Sequence, residues 1–237
     1  MNMEKKYETI VNILEKEILE EKYNYNKKLP TEEELMKKLN VSKNTIRKAI
    51  EILVSKGYIY RVQGSGVFLR EFSKLGCVDM KEMNGLTKTY PSEKLESKVL
   101  KFSLIEADEE LASKMKCKVN NKVYYVKRVR YLNGEPIEIE ESYYNKDVVP
   151  YLNEEICNNS IYSYIIDDLK LKIGFADRVI SCEKLNEEEA ELLNLNKDDP
   201  TLVLNNTVFL SSGIVFDVSL EKYNYTKMKI ISLTSNN

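Results

Sequence analysis

Between Leu35 and Arg70 the chain carries eight Lys/Arg residues and a single acid, Glu51. Clustered cations neutralise phosphates, so this stretch is suited to a polyanion, most directly DNA. Far downstream a second constellation stands in the run Val126-Lys127-Arg128-Val129-Arg130-Tyr131, with Glu138 and Glu140 beyond an Asn133-Gly134 turn. Residues two apart on a strand share a face. Two guanidiniums on one half-buried face are costly unless an anion meets them. That anion is either internal, Glu138 and Glu140, or a ligand such as phosphate. A three-residue loop, Asn133 to Glu135, places Glu138 and Glu140 opposite Arg130 and Arg128; a two-residue loop turns them to the other face.

Composition narrows the chemistry further. The chain has no histidine, which removes Ser-His-Asp and Cys-His nucleophile systems, HExxH zinc sites and every His-based metal cage. No metal site and no cofactor is expected. Cys77, Cys117, Cys157 and Cys182 are widely spaced, as reduced thiols of a cytosolic protein would be. No apolar run approaches the ~18 residues of a membrane span, and the opening MNMEKKYETI lacks the apolar core of a signal peptide, so a cytoplasmic location is expected. The net charge of −2 hides an asymmetry: 14 basic against 11 acidic residues through Phe72, and 22 against 27 from Ser73 onward. A basic head on an acidic body is the pattern of a nucleic-acid reader joined to a second function.

The elements that position the first constellation are three helices and a hairpin. Tyr7, Ile10, Val11, Leu14 and Ile18 fall at helical spacing. Thr31 with Glu34 forms a capping box for a second helix burying Leu35, Met36 and Leu39. Asn40-Val41 turns the chain, and Ser42 caps a third helix to about Ser55, with Ile46, Ala49, Ile50 and Leu53 inward and Lys43, Asn44, Arg47, Lys48 and Glu51 outward. Gly57 ends it. Tyr58 to Val62 and Val67 to Leu69 read as strands around Gln63-Gly64-Ser65-Gly66, a wing whose bare backbone tip can approach a phosphate or minor groove.

The block Leu29-Pro30-Thr31-Glu32, Val41-Ser42-Lys43-Asn44-Thr45-Ile46-Arg47 and Gly64-Ser65-Gly66 resembles the DNA-binding domain of GntR-type bacterial transcription regulators. That resemblance implies a winged helix-turn-helix over residues 1–70. It implies groove contacts from Lys43, Asn44, Thr45 and Arg47, and phosphate contacts from Thr31, Ser42, Gly64, Ser65 and Gly66. Lys43 stands where the family usually has arginine, trading a fork for a point charge. Glu33 stands where many members have an arginine on DNA.

Past a linker at residues 71–76 the chain repeats itself. Ala112 to Cys117 is echoed by Ala190 to Leu195, and each short acidic-fronted helix is followed by strand, glycine turn and strand, at an offset of 78 or 79. Two such modules pair into one antiparallel sheet with helices on it, an α+β domain. Matching Val126–Tyr131 with Asn205–Leu210 shows that the architecture does not require the two arginines.

Residues 77–237 resemble the UTRA effector domain of the HutC subfamily, through Arg128-Val-Arg130-Tyr-Leu-Asn-Gly134-Glu-Pro136-Ile-Glu-Ile-Glu140, Asn159-Ser160-Ile161-Tyr162 and Glu189-Ala190-Glu-Leu-Leu193. The likeness at these points is to amino-sugar utilisation repressors, and implies a chorismate-lyase-like antiparallel sheet. It implies that Arg128, Arg130, Ser160 and Tyr162 hold an effector's phosphate, that Glu140 and Asp217 (in place of a more usual glutamate) meet sugar hydroxyls, and that Tyr223 contributes. The whole then reads as a two-domain transcription regulator, a repressor of a carbohydrate operon. It would be a homodimer on double-stranded operator DNA, released by a phosphorylated sugar or, in the alternative, by a non-phosphorylated organic acid. A lyase-like enzyme is the disfavoured rival.

Overall fold

The computed structural model describes residues 3–19, 22–23, 27–70, 77–80, 85–90 and 93–232. The chain divides into two compact units, one up to Ser73 and one spanning Lys74–Ile231. The linker read at 71–76 lies outside the described residues. No helix among the described residues is long and apolar enough to cross a membrane.

The first unit has α1 (Met3–Leu19), α2 (Glu32–Leu39), α3 (Lys43–Ser55), β1 (Ile59–Val62) and β2 (Gly66–Leu69). Its core is the expected set: Ile10, Val11 and Leu14 of α1, Leu35 of α2, and Ile46, Ala49, Ile50 and Leu53 of α3 are buried together with Ile59. Met36, Leu39 and Ile18 are only partly buried at its edge. Thr31 and Glu34 form the capping box, and Asn40 takes the left-handed turn between α2 and α3. The segment around Leu29 pairs with the second strand of the wing: Leu29 N donates to Val67 O at 2.8 Å and Leu69 N to Lys27 O at 2.7 Å.

The second unit contains β3 (Cys77–Asp79), α4 (Leu86–Thr89), β4 (Leu95–Glu106), α5 (Glu109–Met115), β5 (Lys122–Leu132), β6 (Glu135–Asn145), α6 (Glu154–Asn158), α7 (Ile161–Ser163) running into a π-turn (Tyr164–Asp168), β7 (Ile173–Lys184), α8 (Glu187–Leu193), β8 (Pro200–Leu210), β9 (Val215–Asn224) and β10 (Lys229–Ile231). Six strands form one antiparallel sheet in the order β4-β5-β6-β9-β8-β7. The repeat is therefore a pseudo-twofold about the β6–β9 seam. Each module is strand, helix and hairpin rather than helix and hairpin: β4 and β7, the outer strands, were not anticipated.

The offset of 78 or 79 has a structural cause. β5 and β8 match at 78, and the second turn holds one more residue, so β6 and β9 match at 79. The equivalents of Arg128 and Arg130 are thus Asn206 and Val208, not Thr207 and Phe209. Neither is a cation, so the earlier inference from the repeat stands.

The β5–β6 turn settles the register by a route not foreseen. Leu132 pairs with Glu135 across two residues, Asn133 and Gly134, both at positive φ (53° and 85°), the signature of a tight two-residue hairpin. Alone, that turn would send Glu138 and Glu140 to the wrong face. A bulge at Ile137 adds one residue, and Arg130 pairs with Glu138 and Arg128 with Glu140. β8–β9 repeats the device, skipping Phe216 between Val208↔Asp217 and Phe209↔Val215.

One sheet face takes α5 and α8. α8 packs on Val129 and Ile139; α5 packs on Val123, Tyr143 and Val218. The other face is capped at one end by an apolar cluster including Val149, Leu152, Ile161 and Ile165. At the other end it is capped by Val78, Leu86, Tyr90 and Met228. Between these two apolar plugs lies a polar strip.

Candidate functional site

On the first unit α3 presents Lys43, Asn44 and Arg47 outward, as expected. Thr45 is different: it is buried, its hydroxyl 2.9 Å from that of Ser42, so it steadies the helix start rather than facing a groove. Thr31 and Ser42 both spend their hydroxyls as caps, on Glu34 N and Thr45 N at 3.3 Å. Arg47 Nε donates to both Glu32 oxygens at 3.0 and 3.1 Å, and Lys43 Nζ lies 3.9 Å from Glu32. An exposed pair of this kind contributes only about 0–1 kcal/mol, so a phosphate can replace Glu32 at little cost. The wing tip, Gly64-Ser65-Gly66, is exposed. Gly64 holds φ +75° with open space where a Cβ would be, conditions in which bare backbone can approach DNA closely.

On the second unit the polar strip carries Arg128 and Arg130 of β5, Glu138 and Glu140 of β6, Asp217 and Glu221 of β9 and Arg178 of β7 around a small inner chamber of about 70 Å³. Tyr162 and Tyr223 also line it. Ser160 instead lines an adjoining outer chamber of about 410 Å³, with Thr87, Ser97 and Ser163. Arg130 lines both. The six other residues expected at the effector thus surround Arg130, divided between two chambers.

The two arginines do different things. Arg128 is saturated: Nε and Nη2 donate to Glu140 at 2.8–3.0 Å, and Nη1 donates to the carbonyls of Cys157 at 2.7 Å and Asn159 at 3.2 Å. It ties the loop before α7 to the sheet. Arg130 is 5% exposed yet weakly held, with Nη1 3.5 Å from Glu140, Nη2 3.4 Å from Thr87 Oγ1, and no partner for Nε among the described residues. Burial, then the adjacent Arg128, pulls its pKa below the ordinary guanidinium range. A buried cation so poorly matched favours an anion beside it.

The carboxyls also divide. Burial alone would raise Glu140, but Arg128 and Arg130 overcome it and hold the group below the usual carboxylate range. Burial, then repulsion from Glu221 and Glu140, pushes Glu138 well up. Asp217 is likewise raised by burial, against the hydrogen bond that Tyr162 Oη donates to its Oδ2 at 2.7 Å. Burial and Glu140 lift Glu221 to about 7; it accepts from Asn206 Nδ2 at 2.7 Å and from the Tyr223 hydroxyl. Burial thus disfavours the charged forms of Glu138 and Asp217 on a strip that carries three arginines. Among the described residues no His/Cys/Asp/Glu group is arranged to hold a metal ion.

Arg178, Asn206 and Glu221 escaped the sequence reading. Glu221 was within reach, since it follows Asp217 by four on one strand and must share its face. Arg178 was not, because β7 itself went unrecognised.

Residues 6–69 match the bacterial regulatory proteins of the gntR family, and residues 92–229 match the UTRA domain. The chain is 39% identical over 226 residues to the HTH-type transcriptional regulator YydK of Bacillus subtilis, covering 95% of this chain and 96% of that one. Its crystal structure superposes with a TM-score of 0.84 at 38% identity, over 98% and 99% of the two chains. The transcriptional regulator TreR of the same organism is 33% identical over 208 residues, 86% of each chain. The structure of the effector-binding domain of this trehalose repressor matches 60% of this chain and 99% of its own at 30% identity and a TM-score of 0.54. These relatives are transcription regulators and not enzymes. With a winged helix under the first match and the six-stranded sheet under the second, the chain belongs to the GntR family, in the HutC-type branch of DNA-binding regulators that carry a UTRA effector domain.

Proposed function

We propose that the protein represses a saccharide uptake or catabolism operon and is released from its operator by a phosphorylated sugar. The observation that carries this reading is Arg130, a guanidinium buried at 5% exposure, loosely matched by its neighbours and open to both chambers. A phosphate dianion meets that charge; an apolar or cationic ligand does not. The trehalose repressor among the relatives supports a saccharide as the remainder of the ligand. The functional unit is a homodimer on a near-palindromic site, because one winged helix buries too little DNA surface for specific affinity. Release requires that effector bind more tightly to the arrangement that fits DNA poorly, since only differential affinity shifts the equilibrium.

Gel-shift titration of duplexes from the gene's own promoter, with and without hexose phosphates, tests the reading. Wild-type protein should bind and then release in the presence of at least one hexose phosphate. Arg130→Gln should still bind DNA but need at least ten times more effector. Identical release curves for the variant and the wild type would remove Arg130 from the site.

A further inference from the structure

We propose that Glu138 is a specificity-determining residue of the effector site, reading one or two hydroxyls of the ligand's uncharged part inside the inner chamber. This rests on the reading of Arg130 as the anion contact. The internal repeat points to it first. Glu138 and Asp217 are 79 apart, each lies just past its bulge residue (Ile137 and Phe216), and across the β6–β9 seam they face Tyr223 and Tyr144. The same place in each module therefore holds an acid, on opposite sides of one chamber.

Glu138 is 2% exposed and Asp217 1%. Arg130 is directly opposite Glu138 in the ladder, yet Glu138 Oε2 has no partner among the described residues, and neither has Asp217 Oδ1, Asn206 Oδ1 or Arg130 Nε. All four residues line the inner chamber. Three oxygens and one N–H are thus unsatisfied around one space. An apolar group there would leave four buried polar atoms unpaired, and a second anion would press against oxygens. Hydroxyls, which donate and accept at once, fit the set. Size limits how many enter. At about 70 Å³, with ~10–15 Å³ of such space needed for one water-sized group, the chamber takes a hydroxyl-bearing edge of a ligand rather than a whole saccharide. The bulk of the ligand then lies in the 410 Å³ outer chamber, with Arg130 between. Burial raises the Glu138 and Asp217 carboxyls and so favours their protonated forms, which donate as well as accept.

The test uses the full chain and calorimetric or thermal-shift titration with inorganic phosphate, glucose 6-phosphate, glucosamine 6-phosphate and mannose 6-phosphate. In the wild type at least one sugar phosphate should bind tenfold or more tighter than inorganic phosphate. Glu138→Ala should cut that ratio at least tenfold. Glu138→Gln, near-isosteric and chosen in case the alanine variant does not fold, should reorder the three sugars. Ratios and order unchanged in whichever variants fold would overturn the proposal while leaving Arg130 in place. So would a wild type that binds inorganic phosphate as tightly as every sugar phosphate. Failure of all four probes against wild type would overturn it together with the reading of Arg130.

Discussion

Arg128 and Arg130 are two residues apart, on one face of one strand, and differ in how many of their donors are already used. Arg128 closes a saturated buried ion pair with Glu140. Removing one partner of such a pair leaves a bare buried charge, so Arg128→Ala should lower unfolding free energy by about 3–5 kcal/mol in urea titration. Arg130→Gln should cost much less, because its present contacts are long. Equal losses would mean that the two are structurally interchangeable. On α3, Arg47 is held by Glu32 alone among the described residues and is half-exposed. Arg47→Ala should weaken operator binding and reduce the slope of log K against log salt by about two for the homodimer, one for each protomer. Glu32→Gln, which frees Lys43 and Arg47 from a competing carboxylate, should strengthen it; a weaker complex would mean that Glu32 itself contacts the DNA.

At the scale of elements, bulges determine what the face of β6 presents. Ile137 is buried and lies outside the ladder between Arg130↔Glu138 and Tyr131↔Pro136. Deleting it removes the extra residue, so the two-residue turn then leads into a regular ladder in which Arg130 still faces Glu138 and Arg128 still faces Glu140. The cost is that of the buried Ile137 side chain, about 2–5 kcal/mol, seen by circular dichroism as a lower but still cooperative melt. Ile137→Val keeps the residue count and should cost only about 1 kcal/mol. A deletion that abolishes the cooperative melt would mean that the regular ladder does not form and that the bulge itself is required. The capping boxes of α2 and α8 are of another kind, local devices whose residues lie together in sequence.

For the whole molecule the buried carboxyls predict an unusual pH response. Glu221 in the fold is held at about 7 by burial and Glu140, above the ordinary glutamate value. A raised carboxyl pKa stabilises the folded state below about 4.5, and that contribution is lost as pH rises to about 7. Glu138 and Asp217 act in the same direction. Unfolding free energy should therefore fall between pH 5 and 8, with Glu221 accounting for ~3 kcal/mol at most. Glu221→Gln should flatten the curve. Glu140, held low by the two arginines, has the opposite sign and matters only in stronger acid. A melting temperature that climbs from pH 5 to 8 would contradict the placement of these groups.

The head was legible because its signals are local. The stripe Ile46, Ala49, Ile50 and Leu53, the Thr31–Glu34 box and the glycines of the wing each act over a turn or two of chain, and the structure has them in place. The repeat in the second unit was legible for the same reason. Its exact register was not, since a bulge is a property of two strands laid together and Ile137 carries no local mark. Nor could spacing decide which arginine is saturated within the fold and which is left loosely matched. Arg128 is satisfied by carbonyls at Cys157 and Asn159, about thirty residues along the chain. Thr45 likewise looked like a groove contact until its burial was known. Composition and periodicity determined that a cationic winged helix precedes a two-module sheet; only tertiary packing decided where each charge is buried, because burial depends on residues that meet from distant parts of the chain.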